Sequence, residues 1–422
     1  MQYVLLFLAA VAICSCKSDR TYNISGTEEI EPLSAIGHFD NPAGLGTSLP
    51  RLFSRNDSLY MSWVKTGDSI SELLYSTYVG GTWSPPVTTA RGLNWFVNWA
   101  DFPTIAANDK AVMTTYLEMS AEGTYTYDAK ATLVDKDAKN SVVRENLLLH
   151  NDGTKSEHGF VSISPFRNEG FFVSWLDGRN TVGAPPTMHA DHAAHDLSTT
   201  AMTLRSAFVD NRGDISRPFE IDHRVCDCCG TAMAMTAQGP IVVYRDRGET
   251  EIRDIYKSYW ENGAWSEPEA VFQDNWQIPG CPVNGPSVSA YNENVAIAWY
   301  TASNDDPRVA IAFSDDAGRT MNDPIRLDTQ PALGRVDVQM VSEKEALVLW
   351  MEENGTEAFV QLQKVTPAGT LGKPLTITKT LPERAAGFPQ LDVVGAMAVI
   401  AWTSLEEKQS TIRTAKIPLN SL

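Results

Sequence analysis

An alternating apolar segment that ends in, or next to, a large aromatic residue occurs repeatedly along this 422-residue chain. Successive segments lie roughly 50 to 60 residues apart, except for one longer interval. A shorter strand-like segment precedes each of them, and a further strand follows, usually with a glycine turn. Alternation with a period of two, without helical periodicity, predicts units of four β-strands. The aromatic residues that mark the units are Trp63, Tyr116, Trp175, Tyr244, Trp299, Trp350 and Trp402.

Repeated four-stranded units of this length are typical of β-propeller blades. The repeats predict an all-β fold in which residues 31–422 form a single propeller of seven four-stranded blades. The last unit has strand signals for three positions only, so the segment from Glu28 to Ile36 is expected to supply its outer strand and close the ring. Closure removes free sheet edges. A six-bladed propeller and two stacked β-sandwiches are the alternatives, but a sandwich does not require an aromatic residue at a fixed place in every unit.

The N-terminal residues predict export. The apolar run from Val4 to Ile13 is too short to span a bilayer but fits the core of a signal peptide. It leads into Cys14-Ser15-Cys16, which resembles a bacterial lipobox, where a small residue precedes the acylated cysteine. We therefore expect a lipoprotein signal peptide at 1–16, lipidation of Cys16 and a polar tether at 17–30. An ordinary cleaved secretory signal is the alternative.

This N-terminus implies a location and a partner. A lipid-anchored chain would lie in the bacterial cell envelope outside the cytoplasm, on the periplasmic side or at the surface, and the membrane would be its partner through the anchor. The charge balance is acidic, with 52 Asp and Glu against 34 Lys and Arg and a net charge of −18. Such a balance disfavours binding to a phosphate backbone, so no nucleic-acid partner is expected.

The remaining cysteines are clustered. Cys226, Cys228 and Cys229 lie in one short stretch, and Cys281 follows in Gly-Cys-Pro-Val-Asn-Gly. Exported proteins usually oxidise their cysteines, so one structural disulfide with two unpaired thiols is one interpretation. A second bond would have to join near-adjacent residues, which suits disulfide geometry poorly. The alternative is a soft-metal or redox site.

Histidines favour the metal interpretation. Upstream of the cysteines lies a stretch that combines imidazole and thioether groups, ligands that suit copper or zinc. In a propeller this stretch would be an insertion between the second and third strands of blade 3, on the same face as the cysteines. The candidate metal ligands are Cys226, Cys228, Cys229, Cys281, His189, His192, His195 and Met188.

Further polar residues are expected near the same channel mouth. They occupy loops that enter the first strand of a blade or join its second and third strands, and they would support a metal or clamp a ligand. Pairing on an exposed loop is the simpler alternative. These residues are Arg245, Arg253, Asp254, His158 and Asn284.

One turn carries a family resemblance. Ser314-Asp-Asp316-Ala-Gly318-Arg-Thr320-Met321 resembles the Asp-box pattern Ser-x-Asp-x-Gly-x-Thr-Trp of the sialidase-like, BNR-repeat propeller superfamily, with Met in place of Trp. The resemblance implies a structural turn between the two outer strands of a blade, remote from the catalytic site. Sialidases are six-bladed and use a Tyr nucleophile in the last third of the domain, whereas this chain has no Tyr after Tyr300. The resemblance therefore implies the fold without the sialidase catalytic set.

Three functions follow from these features. The main expectation is a cell-envelope lipoprotein with a copper or zinc ion, or a redox site, at the channel mouth, which could act as a metal-dependent oxidoreductase with an envelope redox partner. The alternative is a glycan-binding protein or an exo-sialidase-type glycoside hydrolase, in which Trp95, Trp99 and Trp276 could stack on sugars. The second alternative is a scaffold without catalysis.

Overall fold

The computed structural model describes residues 36–422 except 139, 183–199 and 407–408. The predicted signal peptide and tether, Cys16, Met188 and the three clustered histidines therefore lie outside the described residues. Within the described part, no helix is long and apolar enough to cross a membrane.

The described chain forms seven antiparallel sheets, which are the blades of a seven-bladed propeller. Strand β1 (Gly37–His38) belongs to the last blade. Blade 1 contains β2 (Thr47–Arg55), β3 (Ser58–Thr66), β4 (Ser71–Val79), β5 (Thr82–Trp83) and β6 (Val87–Gly92). Blade 2 contains β7 (Ile105–Ala107), β8 (Ala111–Met119), β9 (Tyr127–Asp135) and β10 (Ser141–Leu148). Blade 3 contains β11 (His158–Phe166), β12 (Gly170–Asp177), β13 (Met202–Asp210) and β14 (Ile215–Val225).

The second half of the chain repeats this pattern. Blade 4 contains β15 (Ala232–Met235), β16 (Pro240–Arg245), β17 (Ile255–Glu261), β18 (Ala264–Trp265) and β19 (Glu269–Ala270). Blade 5 contains β20 (Ser287–Tyr291), β21 (Asn294–Thr301), β22 (Arg308–Ser314) and β23 (Ile325–Arg326). Blade 6 contains β24 (Ala332–Met340), β25 (Ala346–Glu353), β26 (Ala358–Thr366) and β27 (Gly369–Thr380). Blade 7 contains β28 (Gln390–Val394), β29 (Met397–Glu406) and β30 (Gln409–Pro418). Short 3-10 helices lie at Arg179–Thr181, Ser303–Asp305, Arg384–Ala386 and Leu419–Ser421.

The blades close into a ring. The first strands of neighbouring blades contact one another in the cycle β2, β7, β11, β15, β20, β24, β28 and back to β2. Strand β1 completes blade 7 by pairing Gly37 with Lys416 and His38 with Ala415. The seven-bladed prediction is confirmed, and the six-bladed alternative is wrong. The closing strand is N-terminal, as expected, and the described part of it is Gly37–His38; residues 28–35 of the predicted segment lie outside the described residues.

The repeated aromatic residues form the core between the blades. All seven of them, on the second strands, are buried. Three indole N–H groups are satisfied by an acidic side chain: Trp175 donates to Asp177, Trp350 to Glu352 and Trp299 to Asp274. Burial of a large ring with its polar atom hydrogen-bonded explains why the residue recurs at one place in each unit.

The first strands of blades 1, 3 and 6 share an irregularity. Each has a shift in pairing register near its start, at Leu49, Phe160 and Arg335, and these residues have φ of 57°, 52° and 53°. Such bulges bend a strand and redirect its side chains. They lie on the face where the chain enters each first strand, which we call the channel mouth.

Candidate functional site at the channel mouth

The centre of the ring is nearly filled. The inner strands leave a cavity of about 60 Å3, enough for a few water molecules. Arg51, Asp337 and Gln390 are among the residues that line it. Burial raises the pKa of Asp337, although the charge of Arg51 opposes this effect. A ligand larger than water must therefore sit at the mouth and not inside the channel.

Four cysteines meet at the mouth, and we call them the sulfur cluster. The Sγ atom of Cys226 lies 3.3 Å from that of Cys229 and 3.8 Å from that of Cys228. The Cys281 thiol lies near enough to Cys228 to raise the pKa of that thiol. None of the four forms a disulfide. The structure thus brings Cys226, Cys228 and Cys229 together, with Cys281 near Cys228.

A close backbone contact joins the two cysteine loops. A Cβ atom built on Gly285 would lie 2.2 Å from the carbonyl oxygen of Gly230. Only glycine fits such an approach. Gly230 follows Cys229 and Gly285 follows Asn284, so this contact holds the Cys281 loop against the other three thiols.

The electrostatics single out one thiol. Burial alone would raise the pKa of Cys226, but its hydrogen bonds with the Cys228 and Cys229 thiols and the charge of Arg253 lower that pKa well below its ordinary value. The Arg253 Nη1 atom donates to the Cys226 sulfur over 3.3 Å. The pKa of Cys228 is raised well above its usual value by its hydrogen bonds to Cys226, Cys229 and Cys281 and by burial. The surroundings therefore favour the thiolate form at Cys226 over that at Cys228.

Arg253 is itself held by a buried ion-pair chain. Its guanidinium donates to Glu251, which also accepts from Arg247, and Arg247 reaches Asp227 in the cysteine loop. Asp227 accepts the backbone N–H of Met202. Met202 begins β13, so the chain returns from the 183–199 insertion directly against the sulfur cluster. The arginine that sequence reasoning placed near the cysteines is thus a direct partner of one of them.

The other predicted supporting residues have different surroundings. Arg245 is buried and its donors are taken up by the carbonyl oxygens of Asn284, Arg253 and Tyr300. Asp254 is buried too and accepts the backbone N–H groups of residues 275 and 276. These contacts fix the loops, so Arg245 does not serve as an exposed ligand clamp. His158 is buried among carboxylates at the junction of blades 2 and 3.

Sequence reasoning missed a second group of side chains at the mouth, which we call the acid cluster. The hydroxyl of Tyr127 lies 2.8 Å from Asp101 Oδ2 and 2.6 Å from Glu157 Oε1. Burial raises the pKa of Asp101 to about 7 and that of Glu157 to about 8. Asp101 and Glu157 both precede the first strand of a blade. This position places them at the mouth, and it is the feature of the sequence that could have identified them. Their convergence on one phenol depends on contact between blades.

Exposed groups surround both clusters. The ring of Tyr125 is exposed, and its pKa is raised by burial of its hydroxyl and by Glu157 and Cys281. Arg384 is exposed and lies over the Trp99 ring, which stacks on Phe388. These residues give the mouth an aromatic and cationic rim. Trp276, in contrast, is buried under Arg245 and offers no free face to a sugar.

The predicted turn at Ser314 lies between the outer strands of blade 5. Ser314 Oγ bonds Asp316, and Asp316 accepts from the backbone N–H and hydroxyl of Thr320. The Gly318 N–H donates back to Ser314. These hydrogen bonds all lie within the turn, so the polar groups of Ser314, Asp316 and Thr320 serve to hold its shape.

Comparisons with known proteins place the fold. No family model and no curated protein matches the chain. Among solved structures, an ulvan lyase, a polysaccharide lyase bound to a glucuronic acid–sulfated rhamnose unit, matches with a TM-score of 0.56 and 12% identity over 91% of this chain and 96% of the other. Another ulvan lyase structure matches with a TM-score of 0.54, 12% identity and the same coverage. The NanB sialidase from Streptococcus pneumoniae matches with a TM-score of 0.45 and 14% identity over 90% of this chain and 71% of the other. At 12% identity the likeness to the two lyase structures shows the fold alone.

Proposed function

We propose that this chain is a glycan-active enzyme of the cell envelope that binds an anionic glycan at the channel mouth and cleaves it by proton transfer. The observation that carries the proposal is the contact of the Tyr127 hydroxyl with two carboxyl groups. One phenolic hydrogen cannot be donated to both Asp101 and Glu157 at once. Either one carboxyl carries a proton or one contact is a repulsion between acceptors.

Burial favours the protonated arrangement, because it disfavours a second negative charge in the cluster. Glu157 is the half-buried member, whereas Asp101 and Tyr127 are buried. Glu157 is therefore the group positioned to exchange a proton with a bound substrate, and Asp101 and Tyr127 position it. A carboxylic acid that keeps its proton near neutral pH is the usual general acid in glycan cleavage.

The rim supplies recognition. Arg384 would pair with a carboxylate or sulfate of the glycan, and the exposed ring of Tyr125 would pack on a sugar face. The fold similarity to an ulvan lyase that was solved with an acidic sugar unit supports this substrate class. In the proposed setting, a lipid at Cys16 would hold the propeller at the membrane, close to envelope or environmental polysaccharides.

The test is a panel of anionic polysaccharides and sialosides incubated with the purified protein. Reducing-end assays detect any cleavage, and the ultraviolet absorbance of an unsaturated uronate distinguishes elimination from hydrolysis. We expect Glu157→Gln to abolish the activity that is found. Glu169→Gln, at an exposed turn, serves as the matched control and should leave it intact. No cleavage of any member of the panel, or full activity in Glu157→Gln, would refute the proposal.

A second candidate function is favoured by a separate observation. One ligand atom each from Cys226, Cys228 and Cys229 lies within 4.8 Å of the others, and Cys281 is adjacent. Such a set, with one thiolate already favoured by Arg253, suits copper or zinc as a structural, redox or metal-handling centre. The further ligands that the sequence suggests, His189, His192 and His195, lie outside the described residues.

Metal content tests this second candidate. The protein is purified without air, and metal per chain is measured by mass spectrometry beside a Cys228→Ser, Cys229→Ser double variant. Stoichiometric copper or zinc that the variant loses would support the centre. Metal-free protein whose thiols have formed disulfides would contradict it.

A further inference from the structure

A second group of metal-ligating side chains lies between blades 2 and 3, and it is independent of the sulfur cluster. His150 follows β10, His158 begins β11 and Asp128 lies in β9. One ligand atom from each of these three residues lies within 4.8 Å of the other two. Both imidazoles are buried, and their rings stack with centroids 3.6 Å apart at an interplanar angle of 2°.

The cluster leaves an unusual number of polar atoms unsatisfied. His150 Nε2, both ring nitrogens of His158 and Asp128 Oδ1 are buried without a hydrogen-bond partner. The closest approach of His150 Nε2 to Asp128 Oδ1 is 3.4 Å. A buried polar atom without a partner destabilises the folded state. Three of these atoms, one from each residue, can be satisfied together by a single bound ion.

The surrounding carboxylates orient the imidazoles as in metal sites. Asp152 Oδ1 lies 2.7 Å from His150 Nδ1, which leaves the electron pair on Nε2 of that ring free to bind a metal ion. Asp152 and Asp177 also lie 3.3 Å and 3.7 Å from His158 Nε2. A carboxylate on the far nitrogen of a ligating histidine is the common outer contact of zinc-bound imidazole.

A different choice of ligands is less suitable. Asp177 already forms a two-pronged ion pair with Arg179, at 2.6 Å and 2.7 Å, and Arg179 lies 3.6 Å from Asp152. A cation at the Asp152–His158–Asp177 side would face this guanidinium. No such positive charge contacts Asp128 Oδ1 among the described residues.

We propose that His150, His158 and Asp128 form a binding site for a divalent transition-metal ion, with Zn2+ as the fitting cation. Two imidazole nitrogens and one carboxylate oxygen are a common three-ligand set for zinc. Because the two rings are stacked, their electron pairs point in parallel and not at one atom. One imidazole must therefore turn about its terminal torsion before both can bind the same ion, and this rotation is soft. A cavity of about 170 Å3 lies beside the site and is lined by His150, Arg179 and Arg205.

Metal binding is tested on the full-length protein and four single variants. His150→Gln, His158→Gln and Asp128→Asn each remove one ligand, and His223→Gln removes a histidine whose side chain is 86% exposed. Zinc per chain is measured after dialysis, and Co2+ absorption spectra are recorded. Cobalt held by nitrogen and oxygen lacks the thiolate charge-transfer band that cobalt in the sulfur cluster would show, so the two sites are distinguished.

We expect each ligand variant to lose one equivalent of zinc and the nitrogen–oxygen cobalt spectrum, while His223→Gln keeps both. Zinc at ~100 times its Kd should raise the Tm of the unmodified protein by ~3 °C, and this rise should vanish in the ligand variants. If a histidine variant fails to fold, Asp128→Asn decides, because its side chain is partly exposed and its Oδ1 has no protein partner. Equal metal content and equal cobalt spectra in the folded variants and the unmodified protein would overturn the proposal.

Discussion

Replacement of Asp101 by Asn should change how the stability of the propeller depends on pH. Asp101 is 2% exposed and accepts hydrogen bonds from the Phe160 N–H, over 2.7 Å, and from the Tyr127 hydroxyl. Burial raises its pKa from 3.8 to about 7. The folded state therefore binds this proton more tightly than the unfolded state does. The stability contributed by Asp101 is complete below about pH 4 and is lost as the pH rises through about 7.

The size of the effect follows from the shift. A difference of roughly three pKa units corresponds to ~4 kcal/mol at 1.36 kcal/mol per unit, and this is an upper bound because Glu157 shares the same proton. At ~2.1 cal/mol/K per residue, a chain of this length would show a change in Tm of ~5 °C. An asparagine side chain does not ionise, so the Asp101→Asn variant should not lose this stability as the pH rises.

Thermal melts between pH 4 and pH 9 measure the difference directly. The Tm of Asp101→Asn minus that of the unmodified protein should become more positive by up to ~5 °C across this range. Asp68→Asn, at an exposed loop, is the control and should show a flat difference. A pH-independent difference for Asp101→Asn would show that Asp101 does not take up a proton in the folded protein near neutral pH.

Three further predictions concern the mouth. Gly285→Ala should lower the Tm by several degrees and speed the chemical labelling of the thiols, because its Cβ would push the two cysteine loops apart, whereas Gly44→Ala, with open space around its Cβ, should do neither. Arg253→Ala should raise the pKa of Cys226, seen as a shift of the thiolate ultraviolet absorbance to higher pH, and an unchanged titration would rule out Arg253 as its partner. Arg384→Ala should weaken binding of an anionic glycan about tenfold at low salt and less at high salt, as measured by calorimetry, and an equal loss for a neutral glycan would argue against charge recognition.

The sequence was sufficient for the architecture because the repeat has a physical cause. Trp63, Trp299 and their counterparts must be buried between blades, so they recur wherever a second strand does. The same pattern predicted which loops lie at the mouth. Cys228 and Cys281 belong to two of these loops, so their proximity could be predicted as well. The closing strand was harder to locate, because its described part is two residues long and has no pattern of its own.

The chemistry was harder to predict because it depends on contacts between blades. Tyr127 belongs to blade 2, Glu157 lies before blade 3, and their hydrogen bond has no signature in the sequence. Arg245 shows the opposite problem, since a charged loop residue reads as exposed, yet three backbone carbonyls allow it to be buried. His150 and His158 are close in sequence, but only the packing of blades 2 and 3 stacks their rings.

Closure of the ring by β1 also determines the order of folding. Blades 1 to 6 each consist of strands that are consecutive in sequence, whereas β1 joins Gly37 to Lys416 across nearly the whole described chain. Loop-closure entropy and synthesis from the N-terminus both place this pairing last. Until β28, β29 and β30 have been made, the inner strand of blade 1 lacks its contacts with blade 7 and its apolar side remains uncovered. Chaperone binding and strand exchange between chains should therefore concentrate at this junction during biogenesis.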